Sequence, residues 1–146
     1  MISDLLSRLF QPDPPEFPET DARRALAALL VRIARADGAY DAEEVHRIDR
    51  LLAARYALSP FEATALRADA EEVEAEAPDT VRFTRAIKAA VPYEERLGVV
   101  EALWQVVLAD GRRDDHEDAL LRQIAPLLGV SDRDSNAARR RVEDGA

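Results

Sequence analysis

The sequence contains no cysteine, which excludes disulfides, thiolate catalysis, zinc ribbons and iron–sulfur clusters from the chain. Aromatic residues are only 5% of the 146 positions, so the hydrophobic core has to come mainly from Leu, Val, Ile and Ala. Lysine occurs once, at Lys88, and the five glycines form no glycine-rich phosphate loop. The apolar runs are much shorter than the roughly 20 residues that a membrane-spanning helix needs.

The charge balance argues against nucleic acid as a partner. The net charge is −9, and the one basic run, Arg139–Arg141, has acidic residues on both sides. Affinity for phosphates needs a basic patch, so we expect no nucleic-acid binding. The composition, 47% hydrophobic and 34% charged, is typical of a folded soluble domain. With no signal-peptide pattern, the expected location is cytoplasmic.

Apolar residues recur with the period of an α-helix, and no segment alternates as a strand does. The predicted fold is all-α, a compact bundle of about seven or eight helices. The segment from Leu97 to Ala109 is polar only at Glu101 and Gln105, so its helix should be central. The main predicted helices cover approximately residues 20–36, 42–56, 60–77, 81–91, 92–109, 115–128 and 132–142.

The first residues are expected to be separate from this domain. Met1–Phe10 has the pattern of a short amphipathic helix, and Gln11–Glu19 contains four prolines and is expected to be an extended linker. The predicted organisation is therefore residues 1–19 as helix and linker, and residues 20–146 as the helical domain. The amphipathic segment is expected to dock on the domain or to be mobile, and peripheral association with a membrane stays open.

One motif occurs twice, with the form Ala-Asp-Gly-x-x-Asp-x-x-Glu. Ala36–Glu44 aligns with Ala109–Glu117, an offset of 73 residues, and hydrophobic positions align on both sides. Each copy is predicted to be a helix, a tight Asp-Gly turn and a second helix. The pattern indicates an internal duplication rather than a solenoid of short repeats.

Most of the motif can be explained by the requirements of helix ends. Gly38 and Gly111 can take the left-handed conformation that stops a helix. Asp41 and Asp114 stand where N-caps belong. The glutamates three residues later, Glu44 and Glu117, stand where a capping box is completed.

The first aspartate of each copy is not explained in this way. Asp37 and Asp110 each end a helix, where the backbone dipole disfavours negative charge, and each follows the buried stripe of its helix. An inward carboxylate needs an arginine, backbone N–H groups or a metal. If the copies pack as a pair, their carboxylates converge as oxygen ligands for Ca²⁺, Mg²⁺ or Mn²⁺, although the spacing is not that of an EF-hand. The candidate metal ligands are Asp37, Asp41, Glu44, Asp110, Asp114 and Glu117.

The duplicated motif resembles that of the tellurite-resistance TerB-like family. Tyr93–Leu97, followed by Trp104 and then Ala109–Gly111, is similar to the second half of such domains, and the resemblance covers about residues 22–142. It implies a compact bundle of about seven helices and an association with tellurite or other stress responses. It also implies a role in metal-ion binding or sensing, or in protein scaffolding near the membrane.

The favoured function is a non-enzymatic domain that binds a divalent ion, a protein partner or both through the acidic turns. Two alternatives stay open: a metal-dependent hydrolase that uses the same carboxylates, and a purely structural interaction module. No catalytic residue is assigned. His46 and His116 are expected to be solvated, and a zincin pattern is missing because no second histidine follows His116 at the required spacing.

Overall fold

A computed structural model of the chain describes residues 18–36, 38, 40–77, 79–109 and 115–145, with the backbone alone for 18–20 and 115–117. This part of the chain contains seven helices and no strand, which confirms the predicted all-α bundle. The predicted helix over Met1–Phe10 and most of its linker lie outside the described residues. The helices are α1 (Pro18–Arg35), α2 (Ala42–Tyr56), α3 (Pro60–Glu76), α4 (Val81–Ala90), α5 (Tyr93–Val107), α6 (Asp115–Leu127) and α7 (Asp132–Gly145).

The helix starts follow from local sequence. At α3 the Ser59 side chain accepts from the Glu62 amide at 3.1 Å, and the Glu62 carboxylate accepts from the Ser59 amide at 3.0 Å. This is the predicted capping box, and these hydrogen bonds hold the pKa of Glu62 below its ordinary value. At the start of α7 the Ser131 side chain likewise accepts from the Asp134 amide, at 3.1 Å, without the reciprocal bond.

Helix α1 is the centre of the bundle. It contacts α2, α3, α4, α5 and α6. Its sequence predicted a single buried stripe, but from Ala25 to Ala34 every residue except Arg32 is buried. Alanines at positions 25, 27, 28 and 34 allow neighbouring helices to approach closely on the remaining sides.

Helix α5 is buried as its apolar sequence predicted. From Val99 to Val107 only Glu101 and Gln105 retain appreciable exposure. Trp104 is 1% exposed, and its indole N–H donates to Ser135 Oγ of α7 at 3.2 Å. This hydrogen bond satisfies the polar atom of a tryptophan that is otherwise surrounded by the core. No helix in the described part of the chain is long and apolar enough to cross a bilayer.

Helix α2 ends with an alanine in an unfavourable backbone conformation. Ala57 has φ 53° and ψ 48°, and it is followed by a Leu58 amide that donates to the Ala53 carbonyl at 3.0 Å. Glycine usually occupies such a position, because a β-carbon costs about 1 kcal/mol in the left-handed region.

We therefore expect Ala57→Gly to stabilise the protein by about 1 kcal/mol, measured by urea unfolding. The matched control is Ala54→Gly, an exposed position inside the same helix, where the same change should cost about 1 kcal/mol. Equal losses in both variants would show that the left-handed strain at Ala57 is not present in the folded protein.

Candidate functional site

The first acidic turn links α1 to α2. The amide of Gly38 donates to the Arg35 carbonyl at 3.0 Å, and Gly38 has φ 80°, the left-handed conformation predicted for it. Asp41 then begins α2, and its Oδ1 accepts from the Glu44 amide at 2.9 Å. The predicted N-cap role of Asp41 is confirmed.

The structure describes the side chains of two of the six predicted ligands. Asp41 is exposed, and Glu44 is half-buried in the first turn of α2. Asp37, Asp110 and Asp114 lie outside the described residues, and Glu117 is described only as backbone within α6. The inward orientation predicted for Asp37 and Asp110 therefore stays a prediction. His46 is exposed, as expected from its place on α2.

One hydrogen bond joins α2 to the residue at which the second motif begins. The guanidinium Nη2 of Arg47 donates to the carbonyl of Ala109 at 3.4 Å. Arg47 lies one helical turn after Glu44, a rise of about 4.5 Å, and Ala109 is the first residue of the second motif. The start of α2 and the beginning of the second motif are therefore neighbours in the fold.

The described residues at this junction do not by themselves form a cation site. Among the described residues there is no group of three or more His, Cys, Asp or Glu side chains suited to a metal. Asp41 Oδ1 accepts the cap hydrogen bond, which leaves Oδ2 and the second lone pair of Oδ1 for a ligand. Ca²⁺ takes six to eight oxygen ligands and Mg²⁺ about six, so these carboxylates would need further oxygens from the second motif, from backbone carbonyls or from water.

A buried ion pair anchors the helix that leads into the first turn. Glu74 of α3 is 9% exposed, and its carboxylate lies between two arginines of α1. Arg35 Nη1 donates to Glu74 Oε2 at 3.2 Å, and Arg32 Nε lies 3.6 Å from Glu74 Oε1. Arg32 also donates to the Ala77 carbonyl at 2.7 Å, at the end of α3. The last turn of α1 is thereby fixed against the last turn of α3.

Further ion pairs lead from Arg35 of this cluster to α2. Glu71 Oε2 lies 3.7 Å from Arg35 Nη2, and Arg67 Nη1 lies 2.7 Å from Glu71 Oε1. Arg67 also pairs with Asp49 of α2, with Nε 2.8 Å from Oδ1 and Nη2 3.2 Å from Oδ2. This two-pronged hydrogen bond to Asp49, followed by the one to Glu71, raises the pKa of Arg67. A network of alternating acidic and basic side chains thus links α1, α2 and α3.

Tyr40 connects this ion-pair network to the acidic turn. Its ring lies under the Arg35 guanidinium, 5.0 Å from ring centroid to Cζ. Burial, and then the negative charge of Glu71, raises the pKa of Tyr40 well above its ordinary value. The hydroxyl is therefore neutral throughout the physiological range, and the residue immediately before the Asp41 cap is held in place by the ion pairs.

This network was not predicted from the sequence, in which the acidic run of α3 is only part of a helix. The α1 arginines that contact α3 are 36 to 45 positions away along the chain, and Asp49 is 18 positions from Arg67. Two local signals were available. Arg67 and Glu71 are spaced i, i+4, and Arg32 is a charged residue within the apolar run of α1.

The seven described helices, packed around α1, define the class: an all-helical bundle domain. The sequence model of one family, described as Tellurite resistance protein TerB, matches residues 23–140. The chain therefore belongs to the TerB family. Neither a curated protein nor a solved structure gives a significant match to this chain.

Glu74→Gln is expected to destabilise the protein by about 2 kcal/mol, since it leaves the two α1 arginines without the buried charge that compensates them. Urea unfolding measures this loss. The control is Glu72→Gln on the exposed side of the same helix, which should change stability by less than about 0.5 kcal/mol. Two equally small effects would contradict a structural role for the Glu74 ion pairs.

Proposed function

We propose that this TerB-family chain is a non-catalytic binding domain that takes up a divalent cation where its two acidic turns meet, in the response to tellurite or a related stress. The observation that carries the proposal is the contact between Arg47 and Ala109, which brings the start of α2 next to the second motif. If the two motifs lie together, the ligands would be drawn from Asp37, Asp41, Glu44, Asp110, Asp114 and Glu117.

The chemistry of this set suits hard cations. All six candidates are carboxylates, which favour Ca²⁺, Mg²⁺ and Mn²⁺ over metals that prefer sulfur or imidazole. Arg47 adds a positive charge beside the second motif and offsets part of the repulsion among the carboxylates. The same charge limits how strongly the ion is attracted, so we expect micromolar rather than nanomolar affinity.

A structural role is the competing candidate, and two observations favour it. Asp41 already forms a complete N-cap, and the ion pairs around Glu74 hold the turn without any ligand. In that case the acidic motifs would act only as helix ends and as a surface for a protein partner. The two proposals differ in their response to metal, which allows them to be separated.

Isothermal titration calorimetry with Ca²⁺, Mg²⁺ and Mn²⁺ should give saturable binding, with Zn²⁺ as the comparison. An ion at about 100 times its Kd should stabilise the fold by about 2.7 kcal/mol and raise the Tm accordingly. If millimolar Ca²⁺, Mg²⁺ and Mn²⁺ produce neither heat nor a change in Tm, the cation proposal is wrong and the structural role stands.

Substitutions at Asp41 distinguish capping from ion binding. Asparagine caps a helix about as well as aspartate but carries no charge, so Asp41→Asn should keep the stability of the metal-free protein and weaken cation binding about tenfold. Asp41→Ala should lose the same affinity and also about 1 kcal/mol of stability.

The matched control for this series is Asp79→Asn. Asp79 Oδ1 accepts from the Val81 amide at 3.1 Å, so this aspartate, one residue before the N-cap Thr80 of α4, bonds a helix-start amide outside the acidic turns. Its amide variant should bind the cation as the unmodified chain does. Identical cation affinity in Asp41→Asn and the unmodified chain would contradict a ligand role for Asp41.

A further inference from the structure

Helix α4 carries a row of positive charge on an acidic protein. Arg82, Arg85 and Lys88 recur every third residue and are all exposed, and α4 contains no acidic residue. The inner face of α4, with Phe83, Thr84 and Ile87, packs towards the core. We call Arg82, Arg85, Lys88 and Arg96 the basic stripe. Arg96 adjoins Lys88 at the start of α5.

The side chains of the basic stripe form no ion pair with any described residue, whereas the arginines of the α1–α3 network are paired. A β-carbon placed on Gly129, just after α6, would lie 3.5 Å from Arg96 Nη1 and 3.7 Å from Lys88 Cε. These two cations thus flank the carboxyl end of α6, where the helix dipole favours positive charge. Arg82 and Arg85 have no comparable partner, so their charges face solvent.

Exposed apolar surface lies near Arg96, the member of the basic stripe that belongs to α5. The Arg96 guanidinium lies over the Tyr93 ring, 5.4 Å from its centroid, and Tyr93 is 38% exposed. Leu127, two residues before Gly129, is also 38% exposed. Protein interfaces commonly combine aromatic and apolar contact with arginines in this manner.

We propose that the basic stripe is the docking surface for an acidic amphipathic helix of a partner protein. Successive cations along α4 are separated by a rise of about 4.5 Å, which is the rise between carboxylates at i and i+3 on a second helix. Arginine and carboxylate pair through two parallel hydrogen bonds, so Arg82 and Arg85 can select this chemistry. Apolar side chains of the docked helix then cover Tyr93 and Leu127.

The acidic residues near the basic stripe favour a single helix as the partner over a broad anionic surface such as a bilayer. Tyr93 donates a hydrogen bond to the Asp134 carboxylate, and Glu94 and Glu95 are exposed beside it. A bilayer or a nucleic acid laid on the stripe would be pressed against these carboxylates, on a chain whose net charge is −9. A single helix along α4 can instead place its apolar side chains, and not its glutamates, beside Tyr93 and these carboxylates. The basic stripe contains no residue of the acidic turns, so the docking does not rest on the proposed cation site.

The test uses a synthetic amphipathic peptide of about 15 residues, stapled to stay helical, with glutamates on one face and leucines beside them. Fluorescence anisotropy with the full chain should show saturable binding that weakens as salt is raised. The double variant Arg82→Glu/Arg85→Glu should lose at least about tenfold in affinity, since it replaces two attractive pairs by repulsion. A peptide with lysine in place of each glutamate should not bind.

The matched control is Arg50→Glu/Arg140→Glu, which alters the net charge equally at two exposed arginines of α2 and α7. It should bind the acidic peptide within about threefold of the unmodified chain, with circular dichroism confirming that both double variants are folded. An equal loss in both double variants, or no binding of the acidic peptide, overturns the proposal. So does binding that is confined to phosphatidylserine vesicles or duplex DNA tested in parallel.

Discussion

The carboxylate of Glu74 is the point on which the arrangement of the first three helices depends. It is 9% exposed and lies between Arg32 and Arg35, in a bundle whose core is mainly aliphatic. Burying a charge is costly unless partners and hydrogen bonds replace water, so all three groups have to stay together. Because the arginines belong to the last turn of α1, this requirement fixes the position of that turn against α3, and the left-handed Gly38 follows three residues after Arg35.

The ion pairs therefore position the acidic turn without help from a ligand. Arg35 contacts the Tyr40 ring, and the Asp41 cap follows directly. The described residues of this turn, Gly38, Tyr40 and Asp41, are thus ordered by the protein itself, so a cation that binds as we propose would not first have to order them. Such a domain would be folded before its ligand arrives, in contrast to small zinc domains that fold on the metal.

Features governed by neighbouring residues were predictable from sequence, and features governed by distant contacts were not. The capping box at Ser59, the left-handed Gly38 and the Asp41 cap involve residues within three positions of one another. The apolar periodicity likewise predicted the helices and the burial of Trp104. The pairing of Glu74 with α1 and the contact between Arg47 and Ala109 depend on the packing of helices far apart in the chain. Periodicity also understated the burial of α1, because alanine gives too weak a hydrophobic signal to mark a second packed face.

We propose above all that the two acidic turns bind one cation together. Nuclear magnetic resonance of the ¹⁵N-labelled chain tests it directly, because paramagnetic Mn²⁺ broadens amide signals near its binding site and the chain has only five glycines to resolve. Substoichiometric Mn²⁺ should broaden the amides of Gly38 and Gly111 together, over the same range of concentration, and leave Gly145 sharp. Broadening of one turn without the other, or of neither, would contradict the claim.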